Sequence, residues 1–185
     1  NTNAKRYDHM LDNTEQALTR FGKNTIKQAI TNLTKKNKNV TKDLYNELAY
    51  LLIVSPNSFQ LDFKMPIYGH FQDQGVKGAN PSLVDGVQKA PKSKFKFKNK
   101  RPPIKPIQDW LKNRNIRFRD DKGRFKKGGR KTMAFLISRS IYAQGIKPSR
   151  FFSRAFETQF KRLPNEITDA FRLDVERFLK TTTNQ

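Results

Sequence analysis

The stretch AYLLIVSPNSFQLDFKM, residues 49–65, predicts a small antiparallel β-sheet. Residues 50–54 are aliphatic and partly β-branched, a composition that strands favour. A turn cluster follows at residues 55–58, and beyond it Phe59, Leu61 and Phe63 alternate with polar residues, as in a half-buried strand. The two runs together therefore predict a β-hairpin.

Helical periodicity dominates on both sides of this hairpin. Apolar residues recur at the helical period from about Asp8 to Lys35, and Thr41 is placed to cap a short helix that carries Leu44, Tyr45 and Leu48. These patterns predict an N-terminal helix that leads into the small sheet.

The last third of the chain is also predicted to be helical. Thr132 is placed to cap a helix that Gly145 ends, and Pro148 precedes the next one. Pro164 interrupts this second helix. A final apolar stripe follows at Ile167, Ala170, Phe171, Val175, Phe178 and Leu179. The predicted fold class is α+β.

The middle of the chain has a different composition. Residues 65–78 contain three glycines among aromatics and predict a structured loop or a short helix. Residues 79–106 contain five prolines and the alternation Lys94 to Lys98, which predict an extended arm or edge strand that projects from the body. A short helix after Pro106, a hairpin over 116–126 and a hinge at Gly128-Gly129 complete this expectation.

One domain of 185 residues accommodates these parts, and a chain of this length buries roughly 70% of its unfolded surface. We expect residues 1–88 to form the N-terminal part of a single α+β domain. Residues 89–131 would be a basic insertion of arm and hairpin, and residues 132–185 the C-terminal helical part. No apolar run approaches the length of a membrane span, so we expect a soluble protein.

Positive charge is concentrated in the predicted insertion. The chain has a formal net charge of +22, and residues 89–131 hold 18 Lys and Arg against three Asp, a net of +15. Such a segment needs an anionic partner or solvent around it. Nucleic acid, an acidic protein surface and a merely solvated loop all satisfy that requirement.

The sequence offers little for catalysis. Cysteine is absent, which excludes disulfides, thiol catalysis and thiolate metal sites, and His9 and His70 lack a metal-ligand spacing. Phosphate-binding loops and nucleophile elbows are absent too. Asp62 with Asp73 as a nuclease site, and His70 as a base, are weaker interpretations than structural roles. We therefore expect a protein that is not an enzyme and has no cofactor or metal.

The Lys/Phe alternation at 94–98 also resembles single-strand binders, in which bases stack on aromatic rings while lysines meet phosphates. The recognised RNA-binding submotifs are absent. Phenylalanines on a strand more often pack in a core or an interface, so an ordinary hairpin packed on its own domain stays open as the alternative.

Two short motifs resemble the neck and tail-completion proteins of tailed double-stranded DNA phages. The first is YGHFQDQGVKG at 68–78, and the second runs from Phe135-Leu136-Ile137 through IYAQGIKPSRFF at 141–152. The order of parts is similar over roughly Leu11 to Leu179. The motif residues are Tyr68, Gly69, Phe71, Asp73, Gly75, Gly78, Gly145, Pro148, Phe151 and Phe152. The long basic region at 89–131 departs from the smaller members of that family.

The resemblance implies a structural protein of the virion, present in the host cytoplasm during assembly. It implies a homo-oligomeric ring, a hexamer or dodecamer, that joins portal, connector or tail proteins around the DNA channel. Contact with genomic double-stranded DNA is a further expectation, and a basic nucleic-acid-binding protein that forms no ring is the alternative. The expected contact residues are Lys94, Phe95, Lys96, Phe97, Lys98, Lys100, Arg101, Arg117, Arg119, Arg124, Lys126 and Lys127.

Overall fold

The computed structural model describes residues 11–36, 43–55, 58–117, 119, 122–124 and 129–183. The chain divides into two compact units. The described residues of the first unit lie within the segments 11–36, 43–66 and 151–183, and those of the second lie within 67–150. These limits at 66 and 150 do not coincide with the boundaries predicted at 88 and 131.

The described residues form helices and short strands in an α+β arrangement, as predicted. In chain order they are α1 (Asp12–Lys35), α2 (Asp43–Glu47), β1 (Ala49–Ser55), β2 (Ser58–Lys64), α3 (Ile67–Gln74), β3 (Val76–Lys77), a 3-10 helix (Pro81–Val84), α4 (Ile104–Asn113), α5 (Arg130–Gln144), β4 (Gly145–Ile146), α6 (Phe151–Phe160) and α7 (Leu163–Thr183). No described helix has the length and apolar character that crossing a bilayer requires.

The predicted hairpin is confirmed in the first unit. β1 and β2 pair antiparallel, from Ala49 opposite Lys64 to Ser55 opposite Ser58. The side chains on the inner face of the hairpin pack with α1, α6 and α7 around Phe21. The ring of Phe21 meets that of Phe63 edge to face at 5.9 Å. The alternation read from the sequence thus places the aromatic residues of β2 in a core.

A second core cluster lies further along α1. Buried Ala29 and Leu33 pack with Leu44 of α2 and with Phe151 and Ala155 of α6. The Asn32 side-chain amide donates to the Phe151 carbonyl oxygen at 2.9 Å and so satisfies one polar group at this junction. The predicted cap at Thr41 lies outside the described residues.

Helix α7 forms as predicted, and Pro164 stands in its first turn, where no helical hydrogen bond is lost. Its predicted apolar stripe is wrong in part. The side buried against the unit holds Leu163, Ala170 and Asp174. Phe171, Val175, Phe178 and Leu179 are exposed. The buried stripe thus follows the residues that reach α1, and the larger apolar side chains lie on a neighbouring face.

In the second unit, α5 begins two residues before the predicted cap at Thr132, so that residue does not cap the helix. Gly129 takes the cap position with a φ of +97°, which a glycine adopts without strain. Gly145 ends α5 as predicted. The helix predicted after Pro106 starts earlier, at Ile104, with Leu111 fully buried.

Only part of the predicted 116–126 hairpin belongs to the described residues. There, a guanidinium nitrogen of Arg119 donates to the Gly123 carbonyl oxygen at 3.3 Å. The predicted contact residues Lys126 and Lys127, and Gly128 of the predicted hinge, lie outside the described residues.

Candidate interaction surface of the basic unit

The two motif segments, 68–78 and 141–152, meet in the second unit. β3 pairs antiparallel with β4, with Val76 opposite Ile146 and Lys77 opposite Gly145. Beside this pair, the Ser149 amide and hydroxyl both donate to the Gln72 carbonyl oxygen, at 3.0 and 2.7 Å. Segments some 70 residues apart in sequence therefore form one local structure.

Glycines make this close approach possible. Gly75 has a φ of +74°, and a Cβ atom there would lie 2.5 Å from the Ile146 carbonyl oxygen. Gly145 has a φ of +89°, and a Cβ atom would overlap the Val76 carbonyl oxygen. At Gly78 a Cβ atom would overlap the Ala143 carbonyl oxygen. Three motif glycines thus meet a steric requirement of the backbone.

Gln88 completes the junction with a contact that sequence patterns do not reveal. Its side-chain oxygen accepts from the Gly78 amide at 2.6 Å, and its side-chain nitrogen donates to the Gly78 carbonyl oxygen at 3.2 Å. The amide side chain therefore occupies both backbone groups of Gly78, as a neighbouring strand would. A single Gln in a loop gives no signal for such a role.

The other motif residues fall into two groups. Gly69 and Asp73 are buried in α3, Phe71 and Pro148 are half-buried, and Tyr68 is exposed. Phe151 and Phe152 belong to the first unit, where they pack in its core. The second motif therefore ends in a different unit from the one in which it begins.

The Lys94 to Lys98 segment lies against β3. The Lys77 amide donates to the Phe95 carbonyl oxygen at 2.7 Å, and the Phe97 amide donates to the Lys77 carbonyl oxygen at 2.9 Å. These bonds make a parallel bridge between Lys77 and Lys96. The expectation that this segment projects as an arm is wrong, because β3 offers it unpaired backbone groups.

Its aromatic side chains pack within the unit. The ring of Phe95 meets that of Phe71 edge to face at 4.8 Å, and the ring of Phe97 lies 6.2 Å from that of Tyr142. The Tyr142 hydroxyl donates to the Lys98 carbonyl oxygen at 2.7 Å. The phenylalanines thus pack within their own unit, as the alternative interpretation had it, although residues 94–98 bridge to β3 and are not assigned to a strand.

The lysines take the opposite face. Lys94, Lys96 and Lys98 are exposed and alternate with the two half-buried phenylalanines. We call these three side chains the lysine row. Exposed Lys100 and Arg101 continue the chain beyond it, and the Arg101 guanidinium lies 5.3 Å from the ring centre of Phe135. The remaining described contact residues, Arg117, Arg119 and Arg124, are exposed as well.

Comparison with protein-family models, with curated proteins and with solved structures finds no match for this chain.

The division into units also divides the charge. Residues 67–150 hold 22 Lys and Arg against five Asp, a net of +17. The segments of the first unit hold 14 Lys and Arg against 11 Asp and Glu, a net of +3. Positive charge is therefore concentrated in the second unit.

In the part of the chain that the structure describes, metal-ligating side chains are not clustered. No three His, Cys, Asp or Glu side chains in that part of the chain come together as a metal site requires. Asp62 lies on β2 of the first unit and Asp73 on α3 of the second. What the geometry supports is a basic face on a segment, residues 94–98, that backbone bonds to Lys77 and packed rings hold in place.

Proposed function

We propose that this chain is a non-enzymatic structural subunit of the neck or tail of a tailed double-stranded DNA phage. In this proposal it joins copies of itself in a ring of six or twelve and contacts portal, connector or tail proteins around the DNA channel. The observation that carries the proposal is the pairing of β3 with β4, which joins the two motif segments. Three glycines of the two motifs lie where the backbones of these segments touch, which gives the short sequence motifs a common structural reason.

The lysine row supplies the anionic contact in this role. Lys94, Lys96 and Lys98 stand on one face of a segment bridged to β3, and Phe95 and Phe97 anchor its other face. A fixed row of cations binds phosphates or carboxylates with less loss of conformational freedom than a mobile arm would. In the assembled neck it would meet the phosphates of the DNA or an acidic face of an adjacent ring.

The second candidate function is a basic nucleic-acid-binding protein that forms no ring. The net charge of +17 on residues 67–150 favours it, because phosphate contacts supply most of the affinity of such proteins. The two functions differ in what holds the chain in its complex. A ring persists without DNA, whereas binding to phosphates weakens steeply as salt increases.

The deciding experiment is light scattering on the purified protein at low and high salt, with and without double-stranded DNA. A closed oligomer that persists at high salt without DNA supports the ring subunit. A monomer that binds DNA only at low salt supports the second function. A monomer that ignores DNA at low salt contradicts both, unless addition of a portal ring assembles it.

Two triple variants with reversed charge test whether the lysine row binds DNA. We expect Lys94→Glu with Lys96→Glu and Lys98→Glu to abolish DNA binding at low salt and to leave ring formation intact. The control reverses three exposed lysines of the first unit, Lys23, Lys27 and Lys161, with an equal change in net charge. Equal loss of binding in both triple variants would show that net charge, and not the lysine row, attracts DNA.

A further inference from the structure

Helix α7 carries an apolar face that stays about half exposed in the described part of the chain. Phe171, Val175, Phe178 and Leu179 are 51%, 40%, 49% and 55% exposed. Phe171, Val175, Phe178 and Thr182 are separated by four, three and four residues, so they line one side of the helix. We call this line, which Thr168 extends by one step, the α7 seam.

The seam alternates large and small side chains in a heptad-like order. Phe171 and Phe178 stand between the β-branched residues Thr168, Val175 and Thr182. When two such seams run antiparallel with the twofold axis between Phe171 and Val175, Phe171 of one copy faces Val175 of the other, and Phe178 faces Thr168. Alternation of large and small residues is what lets two helices interdigitate without voids. The seam is therefore complementary to itself.

The threonines of the seam are already satisfied as hydrogen-bond donors. The Thr168 hydroxyl donates to the Pro164 carbonyl oxygen at 2.9 Å, and the Thr182 hydroxyl donates to the Phe178 carbonyl oxygen at 2.9 Å. Covering these side chains would leave neither donor without a partner. Their methyl groups are then free to pack, so the threonines do not oppose burial of the seam.

Charge favours a second copy over an anionic partner. The chain has a net charge of +22, yet α7 holds four Asp and Glu against three Lys and Arg, a net of −1. Two basic chains repel one another wherever their cationic faces meet, and α7 is a place where they can approach without that cost. The carboxylates of the same helix disfavour a nucleic acid there.

We infer that the α7 seam binds the α7 seam of a second copy of this chain, antiparallel and across a twofold axis. The inference is separate from the ring, because a twofold contact closes with two copies whereas a ring needs a repeated contact between different faces. The proposed dimer therefore does not depend on whether the chain is a phage neck protein.

The available area sets the strength of the pair. A phenylalanine buries roughly 200 Å² in full, so the exposed halves of the seam offer on the order of 300–400 Å² per copy. Stable complexes bury about 800 Å² per partner. The pair is therefore weak, with self-association expected at protein concentrations on the order of 100 μM.

Sedimentation equilibrium of the full chain at high salt, from about 5 to about 500 μM, tests the inference. We expect a monomer–dimer equilibrium, and Phe178→Glu and Val175→Glu should each weaken association at least tenfold. Leu173→Glu is the matched control, since Leu173 is 47% exposed but on the opposite side of the same helix. Circular dichroism of each variant verifies that the helices remain.

Cross-linking locates the contact independently, because the chain has no cysteine of its own. Val175→Cys should give a covalent dimer with a short bismaleimide, and Leu173→Cys should not. A monomer throughout the concentration range, a dimer that Leu173→Glu disrupts equally, or a seam that cross-links only to a different protein would each overturn the inference. Loss of the ring with this dimer intact would contradict only the proposed function.

Discussion

The carboxylate of Asp174 accepts a hydrogen bond from each of the two donors of Thr14. Its Oδ2 accepts from the Thr14 amide at 2.9 Å and from the Thr14 hydroxyl at 2.8 Å. Its Oδ1 accepts from the amide and the side chain of Asn13, at 3.0 and 2.7 Å. A residue of α7 thus caps the N-terminus of α1, a task that a neighbouring residue in the sequence usually performs.

Replacement of Asp174 by Ala should lower the free energy of unfolding by about 2–3 kcal/mol, because the buried Thr14 amide and the half-buried Asn13 amide of α1 lose their acceptor. Urea denaturation followed by helical circular dichroism measures the change. Asp169→Ala is the control, since Asp169 is an exposed carboxylate on the same helix. Equal effects of the two substitutions would contradict the capping role.

The same cap makes stability depend on pH. Burial by itself would raise the pKa of Asp174, but the hydrogen bonds from the amides and side chains of Thr14 and Asn13 outweigh it and hold the pKa below the usual value of an aspartate. A carboxyl whose pKa is lowered by folding stabilises the fold above its unfolded pKa. That stabilisation is lost as the pH falls through the folded pKa. Urea midpoints from pH 7 down to about 2 should therefore fall more in the wild type than in Asp174→Asn.

Gly145→Ala should destabilise the second unit by about 3 kcal/mol or more, because the new methyl group meets the Val76 carbonyl oxygen in a conformation already strained for alanine. Gly123→Ala is the matched control. Gly123 has a φ of +78° with nothing within 4 Å of a Cβ atom, so only the strain of about 1 kcal/mol remains. Hydrogen exchange of the Lys77 amide reports the difference, and equal acceleration in both variants would be the contrary result.

Phe95→Ala should cost about 1–2 kcal/mol, since the half-buried ring loses its edge-to-face contact with Phe71. Lys96→Ala, on the other face of the same strand, should change stability by less than about 0.5 kcal/mol. Hydrogen exchange of the Phe97 amide, which bonds to Lys77, measures both. Faster exchange in Lys96→Ala than in Phe95→Ala would contradict the assignment of faces.

Gln88→Glu separates the two bonds that this side chain makes to Gly78. A carboxylate can still accept from the Gly78 amide but can no longer donate to the Gly78 carbonyl oxygen. We expect a loss of about 1 kcal/mol for Gln88→Glu and a larger loss for Gln88→Ala. Thermal unfolding of the full chain compares them, and a variant with Ala as stable as the wild type would exclude the role of Gln88.

The elements of the first unit were largely predictable because their patterns are local. The alternation at Phe59, Leu61 and Phe63 and the helical period of α1 follow from which side of each element is buried. The exposed side of α7 was not predictable, since its phenylalanines satisfy the same period whether or not a partner covers them.

The sequence predicted the alternation of lysines and phenylalanines at 94–98, but it did not predict where this segment lies in the fold. Lys94, Lys96 and Lys98 are exposed and the phenylalanines between them are not, as the pattern indicates. Proline density suggested an arm, yet Lys77 provides backbone partners that no local pattern shows. Contacts that depend on a distant segment, such as Gln88 with Gly78 or Asp174 with Thr14, leave no periodic trace in the sequence.

The discontinuity of the first unit also fixes an order of events during synthesis. Its helix α1 leaves the ribosome before the second unit does, but α6 and α7, which complete its cores, are made only after residue 150. The second unit begins later and has all of its described elements once Ile146 has emerged. On a vectorially growing chain the basic unit is thus complete first. Helix α1, with Leu18, Phe21 and Leu33 still uncovered, must wait for α6 and α7, so a growing chain exposes these apolar side chains while the whole second unit is made.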